Sequence, residues 1–474
     1  MCASRVLAPL VLTCALLLLP SAVQAQDDET NEAFFGSWSA EEDYFRPVIH
    51  IGRGEGGALA ASLGRRALGE GAPFSSVTTR GDSVFFASKR MGARFEGALT
   101  SDGSAIEGTW TQGERAAPLT LTPVEKSASS GQTAAQKPVR PQEPEPPYPY
   151  AAKEVTFQNE TGGPALSGTL TLPEGDGSFP AAVLLSGTGA NERNYEIDGH
   201  ALFHVLADQL TRRGVAVLRY DRRGVGHSEG RLQSAHLEDF ARDAAAALRF
   251  LKSHSQTEAG SVGLVGHSAG GLVAPMASTQ SEDAAFLALL MPPAGRPGHE
   301  ILVGQEARLQ AAAGASQAEV DSARVRARRV FDVVRADTDS ATTAARLRAV
   351  YEARGVKDED LVARIEPNTM PWFRDLARYD PLPLLREVEA PVFVLFGTKD
   401  LMVPPEQHAS SVRTALAARS KGDATVRVLD GLNHWMQPAE TGRPSEISQI
   451  ETTVAPALID ELVGWIQSRT AAGE

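Results

Sequence analysis

A serine becomes a nucleophile when a histidine takes its proton and a carboxylate holds that histidine, and the product of this arrangement is acyl transfer. The stretch "SVGLVGHSAGGL" offers such a serine, Ser268, with Gly266, Gly270 and Gly271 around it. A buried-looking apolar run precedes it and a helix-like run follows. A nucleophile exposed on a strand-to-helix turn needs glycines there, because strand and helix pass close to each other. The start of the following helix adds a positive end that favours a developing anion.

The base and the acid should follow the serine in the order acid, then histidine. Only His299, His408 and His434 lie downstream. His434, in "DGLNHWM", falls just past an expected strand, where loops converge; it is the expected base. His299 opens a helical stretch. His408 sits in a helix-like run and is expected to face solvent. The acid belongs after the preceding strand, where "VFVLFGTKDLMVP" places Asp400, with Gly397 turning the chain and Pro404 marking the next helix start. Asp430, close to His434 in sequence, is the rival and ranks below it. The oxyanion needs backbone donors. The N–H of Ala269, after the serine, is one. "AAVLLSGTGANERN" supplies the second from Thr188, with Gly187 next in line. This loop lacks the Lys-Ser or Lys-Thr of a phosphate-binding loop. In "RYDRRGVGHSEG", Asp221 and Arg222 read as structural and the loop as part of a pocket rim. His267 is expected to point away from the serine.

From residue 151 onward, strand-like runs such as "AAVLL", "VAVLRY" and "SVGLVG" alternate with helix-like ones. Nearly continuous apolar strands suit a mostly parallel sheet buried on both faces. Residues 296 to about 378 break the alternation and read as a helical insertion capping the pocket, where Trp372 and Phe373 are candidate lining residues. Residues 31–125 read instead as an antiparallel meander, its clearest hairpin turning at Asp102-Gly103. Trp38, Phe85, Phe86, Phe95 and Trp110 are expected to fill a small β core. Residues 126–150, rich in Ser, Gln and Pro, read as an extended spacer.

The net charge of −13 disfavours nucleic acid as a partner. Residues 1–25 read as an export signal cut after Ala25, and the expected location is periplasmic or secreted. The apolar run Val6–Leu19 is about 14 residues, short of the roughly 20 that span a bilayer, so no stable membrane span is expected after its removal. The only cysteines, Cys2 and Cys14, lie in that signal, which excludes a disulfide framework or thiolate chemistry in the mature chain.

Strand-"GHSAG"-helix, "GTKD" after a late strand and "NHW" near the end resemble the α/β-hydrolase superfamily over residues 151–474. More narrowly, "AAVLLSGTGANERN", "LTRRGVAVLRYDRRGVGHSEG" and "MPWFRDLARYDP" resemble a bacterial group of exported short-chain carboxylesterases related to serine aminopeptidase-type hydrolases. The resemblance implies an α/β-hydrolase fold with a helical cap, preceded by a separate small β domain that it does not cover. It implies Ser268 as nucleophile, Asp400 as acid and His434 as base, acting without cofactor or metal on a small-molecule ester. Ser186 departs from the superfamily's usual His-Gly oxyanion motif, which leaves the backbone donor in place and the substrate class open. A peptidase with the same triad, holding a substrate ammonium on a cap acid such as Glu306 or Asp375, is the alternative. A non-catalytic envelope-binding protein on the same scaffold is another.

Overall fold

The apolar runs of the second half form the interior of one eight-stranded sheet in the computed structural model of the protein. The structure describes residues 32–34, 36–40, 47–53, 59–65, 72–73, 76–88, 93–112, 115–123, 140–159, 162–281, 284–336, 338–356 and 358–470. The expected export signal, with Cys2 and Cys14, lies outside the described residues. So does the first part of the expected spacer, 126–139.

The strands of this sheet are β1 (Ala151–Gln158), β2 (Ala165–Leu172), β3 (Phe179–Leu185), β4 (Ala216–Tyr220), β5 (Thr257–His267), β6 (Leu287–Leu290), β7 (Val392–Gly397) and β8 (Ala424–Leu429). Their spatial order is β1-β2-β4-β3-β5-β6-β7-β8. The β1–β2 and β2–β4 pairs are antiparallel and the rest parallel. Alternate residues leave a strand on opposite faces. Val183 and Leu185 accordingly join one core with helices α2 (Leu237–Ser253) and α3 (Gly270–Ser281). Ala182 and Leu184 join the other with α1 (Leu202–Thr211) and α11 (Pro456–Thr470). Because both faces are covered, every residue of β6 and β7 is buried.

The helical insertion lies between β6 and β7, as expected. It comprises α4 (Gly298–Ala312), α5 (Gln317–Val334), α6 (Ser340–Glu352), α7 (Asp358–Thr369) and α8 (Pro371–Arg378). Ser316 starts α5 by a reciprocal cap: its Oγ accepts from Glu319 N while Glu319 accepts from Ser316 N. Asp339 caps α6 by accepting from Thr342 N at 2.8 Å. The insertion has its own core of Val330, Val334, Leu347, Leu361 and Ile365 among others. Among the described residues no helix is long and apolar enough to cross a membrane.

The N-terminal residues form a separate nine-stranded, antiparallel sheet. The expected hairpin joins Ala93–Leu99 to Ile106–Gln112, with Gly103 at φ 70° and Asp102 accepting from Thr100 and Ser104. Trp38, Phe86 and Phe95 are buried in its core; Phe86 and Phe95 stack at 4.7 Å. Phe85 and Trp110 are half-buried.

The spacer departs from expectation at its C-terminal end. Residues 140–150 are docked on the α/β body. The Arg140 guanidinium donates to the carbonyls of Ile450 (2.6 Å) and Ser448 (2.9 Å). Gln142 donates to Val454 O and accepts from the N–H of Thr453 and Val454. The Tyr150 hydroxyl donates to Asp208 at 2.9 Å. Where composition predicts an extended spacer, residues 140–150 run through turns and bends, with Glu143 N donating to Arg140 O at 2.9 Å, and their side-chain donors adhere to loop carbonyls that need partners.

Candidate active site

Ser268 sits between β5 and α3 with φ 53°, the left-handed region that non-glycine residues rarely adopt. Its N–H donates to Leu290 O at 2.9 Å and its carbonyl accepts from Gly271 N at 2.8 Å. The flanking glycines are sterically required. A Cβ on Gly266 would strike the Gly270 carbonyl, and one on Gly270 would strike the Leu185 carbonyl. The turn leaves the side chain half-buried and reachable.

His434 reaches this serine from the loop after β8. Its Nε2 is 3.0 Å from Ser268 Oγ, and its Nδ1 is 2.8 Å from Asp400 Oδ2. A carboxylate only accepts, so Nδ1 carries the proton and Nε2 is left as acceptor for the serine hydroxyl. Asp400 is 2 % exposed and His434 6 % exposed, so water does not compete for this contact. Asp400 Oδ1 accepts the N–H groups of Met402 (2.8 Å) and Val403 (2.7 Å), which fixes the carboxylate plane. Asn433 fixes the histidine loop by accepting from Trp435 N and Gln437 N. The two loops cross at Gly397, where a Cβ would run into the Leu432 carbonyl. The rival Asp430 instead accepts from Thr398 Oγ1 at 2.7 Å and is exposed.

The chain after β3 passes beside the serine: a Cβ on Gly187 would lie 3.1 Å from Ser268 Cβ. Its carbonyls are turned away by two side chains. Arg222 donates to the carbonyls of Ser186 (2.9 Å), Gly187 (2.7 Å) and Gly189 (2.9 Å). Asn191 Nδ2 donates to Gly187 O (2.9 Å) and Thr188 O (3.2 Å). In a trans peptide the N–H points opposite the preceding carbonyl, so the Thr188 N–H faces away from Arg222. Among the described residues neither Thr188 N–H nor Ala269 N–H donates to a protein acceptor.

A family described as "Serine aminopeptidase, S33" matches residues 198–440, just over half of the chain, and spans all three of these side chains. The chain belongs to this family. Esterase EstD of Thermotoga maritima is 25% identical over 321 residues, covering 68% of this chain and 68% of the relative. A hypothetical protein of Pseudomonas aeruginosa of known structure is 15% identical, with a TM-score of 0.45, covering 72% of this chain and 100% of its own. An esterase of Pyrococcus furiosus is 15% identical, with a TM-score of 0.42, covering 72% of this chain and 99% of its own.

This serine aminopeptidase-family hydrolase builds its site with residues that sequence reading undervalued. Arg222 is structural, as expected, but it acts on the loop beside the serine: it is buried, stacks 4.5 Å from the Phe240 ring and spends its donors on that loop. Arg308 of α4 donates to the carbonyls of Leu401 (2.9 Å) and Met402 (3.0 Å), tying the cap to the loop that carries Asp400. His408 does not face solvent. It is 1 % exposed, accepts from Gly295 N at 3.1 Å and is pushed down to about 4 by burial and then by Arg308. Its spacing to Val412 and Ala415 on α10 (Pro405–Ala417) was the available signal, since all three share the buried face. Trp372 is buried in the seam between cap and sheet domain, 6.4 Å from the Phe240 ring. Phe373 packs between Trp372 and Phe331. The contacts seen for both aromatic residues are packing of the cap.

Proposed function

We propose that the protein hydrolyses carboxylic esters, with short acyl chains preferred, through a Ser268–His434–Asp400 triad and an acyl-enzyme. The observation that carries this reading is the continuous chain from Ser268 Oγ through His434 to Asp400 at 3.0 and 2.8 Å. His434 takes the serine proton as Oγ attacks the carbonyl carbon. Asp400 holds the imidazole and stabilises it once charged. The N–H groups of Ala269 and Thr188 receive the oxyanion; the alcohol leaves with the proton from His434. Water, deprotonated by the same histidine, then releases the acid.

The family's description favours a second reading, an exopeptidase that holds a substrate ammonium. The two cap acids considered for that task argue against it. Asp375 accepts from His236 Nδ1 at 2.8 Å and from Leu237 N. Glu306, whose carboxyl burial pushes up, lies within the field of Arg326, Arg354 and Arg364, which repel a cation. Export with cleavage after Ala25 is part of the proposal and rests on the sequence alone.

A fluorophosphonate should label the wild type and spare Ser268→Ala. p-Nitrophenyl acetate and butyrate should be cleaved with higher kcat/KM than alanyl or prolyl anilides. Higher values on anilides would favour the peptidase, and an unlabelled wild type would favour a binding protein.

Arg222→Lys keeps the charge but not the fork that serves three carbonyls. With those carbonyls free to turn, the Thr188 N–H is no longer held toward the oxyanion. Loss of one such donor costs on the order of 10²-fold in kcat, and that is the expected fall, with KM little changed. A kcat within about twofold of wild type would remove Thr188 from the oxyanion site.

A further inference from the structure

His267 and Tyr195 are buried polar residues that the proposed mechanism does not use. They are 0 % and 4 % exposed. His267 Nε2 is 2.7 Å from the carbonyl of His434, and its Nδ1 is 3.2 Å from the Tyr195 hydroxyl. That hydroxyl lies against Gly187, where a Cβ would collide with it.

The direction of every bond follows from chemistry. A carbonyl only accepts, so His267 Nε2 carries a proton and donates to His434 O. Burial, with His434 beside it, pushes His267 down to about 3, so the ring is neutral and Nδ1 has a free lone pair. Burial pushes Tyr195 up to about 12, so the phenol keeps its proton and gives it to that lone pair. The phenol oxygen rests against the Gly187 backbone. One chain of contacts thus runs from the Gly187 backbone through Tyr195 and His267 to the backbone of His434.

We infer that Tyr195 and His267 are positioning residues that set the oxyanion loop and the base in register with each other across Ser268. Resting on the esterase reading, this inference assigns the pair a task beyond filling space. Gly187 and Thr188 share the peptide whose N–H serves the oxyanion, and Arg222 holds that peptide from the carbonyl side only. The Tyr195 hydroxyl packs against Gly187, the residue before Thr188. At the other end, the pinned carbonyl belongs to the residue whose imidazole must meet Ser268 Oγ. Tyr195 adopts φ 51°, an outlier for an aromatic residue, and the surrounding structure enforces it. Its N–H donates to Glu192 O, its carbonyl accepts from Leu202 N, and its ring packs 4.9 Å from Phe203. Phenylalanine would fill the same space; only the hydroxyl links the two halves of the site.

The test uses the full chain. Tyr195→Phe should lower kcat on p-nitrophenyl acetate about tenfold and slow fluorophosphonate labelling by the same factor, with KM changed less than about twofold, because sub-ångström misplacement acts on the chemical step. His267→Phe keeps a ring of similar size but removes both the donor to His434 O and the acceptor for Tyr195, and should fall at least alike. The double variant should be no worse than about threefold below the poorer single one, since both cut the same chain. Wild-type kcat and labelling rate in Tyr195→Phe would overturn the inference, as would losses that multiply in the double variant. So would a Tyr195→Phe loss that disappears once rates are divided by the folded fraction, which would make the role merely structural. In those cases the wild type still labels and the esterase reading stands. An unlabelled wild type sinks both.

Discussion

Asp400→Asn should lower kcat on p-nitrophenyl acetate by about 10⁴-fold while the protein stays folded, the scale at which a triad loses its correct tautomer. The reason lies in how the carboxylate is shared. Oδ1 accepts two backbone N–H groups, from Met402 and Val403, while Oδ2 accepts from His434 Nδ1. An amide has one oxygen for these three donors. Keeping it on the two buried N–H groups places the NH₂ against His434. Nδ1 must then accept, the ring proton moves to Nε2, and Nε2 donates toward Ser268 Oγ instead of receiving its proton. Flipping the amide instead sets NH₂ against two N–H donors, each costing about 1–3 kcal/mol when unsatisfied. The wrong tautomer is therefore the stable one. KM should change little, and labelling by a fluorophosphonate should slow with kcat. Asp430→Asn is the control: that carboxylate only accepts from the Thr398 hydroxyl, and activity should hold. A D400N enzyme within tenfold of wild type would show that His434 does not depend on this partner.

The residues of the proposed triad were legible because each carries its own local signal. Glycines that permit the turn flank Ser268, Gly397 precedes Asp400, and the order of the three follows the strands that deliver them. The buried strands were legible for a similar reason, since a sheet covered on both faces asks for unbroken apolar runs. What binds these loops to one another was not legible. Tyr195 meets His267 from a position 72 residues earlier, and Arg222 reaches carbonyls 33 to 36 residues away. The Tyr195–His267 bond joins two side chains that nothing local in the sequence links; the Arg222 contacts pair a side chain with backbone, and backbone leaves no trace in residue identity. The docking of Arg140 and Gln142 failed to show for the same reason: their partners are carbonyls and amides of the loop before α11. His408 differs, because its helical spacing did mark it, and the polarity of imidazole hid the sign.

Acid should destabilise the α/β body steeply between about pH 6.5 and pH 4. His200, His267 and His408 are each no more than 1 % exposed, and burial, the largest cause in each, pushes them down to about 4, about 3 and about 4. The nearby Arg140, His434 and Arg308 respectively add to it. Above pH 6.5, their ordinary value, folded and unfolded chains both hold them neutral. As the pH falls below that, the unfolded chain takes up protons that the folded one refuses, so stability drops with pH. The drop levels off only below the depressed folded values. Near pH 5 the difference approaches one proton per histidine, a slope on the order of 2–4 kcal/mol per pH unit. Asp243 and Glu306, both raised chiefly by burial, offset part of this drop because the fold protonates them first, whereas Asp221 is net lowered: burial raises it, but hydrogen bonds from Arg193 and the His227 N–H outweigh that. Urea midpoints followed through the buried tryptophans Trp372, Trp435 and Trp465 should fall sharply from pH 7 to pH 5, and unfolding at pH 5 should take up protons. His408→Gln should flatten the slope by about one proton's worth, whatever it does to stability at pH 7. Midpoints that stay level from pH 7 to pH 5 would mean that these three rings carry protons inside the fold, and the fixed tautomer assigned to His267 would fall with them.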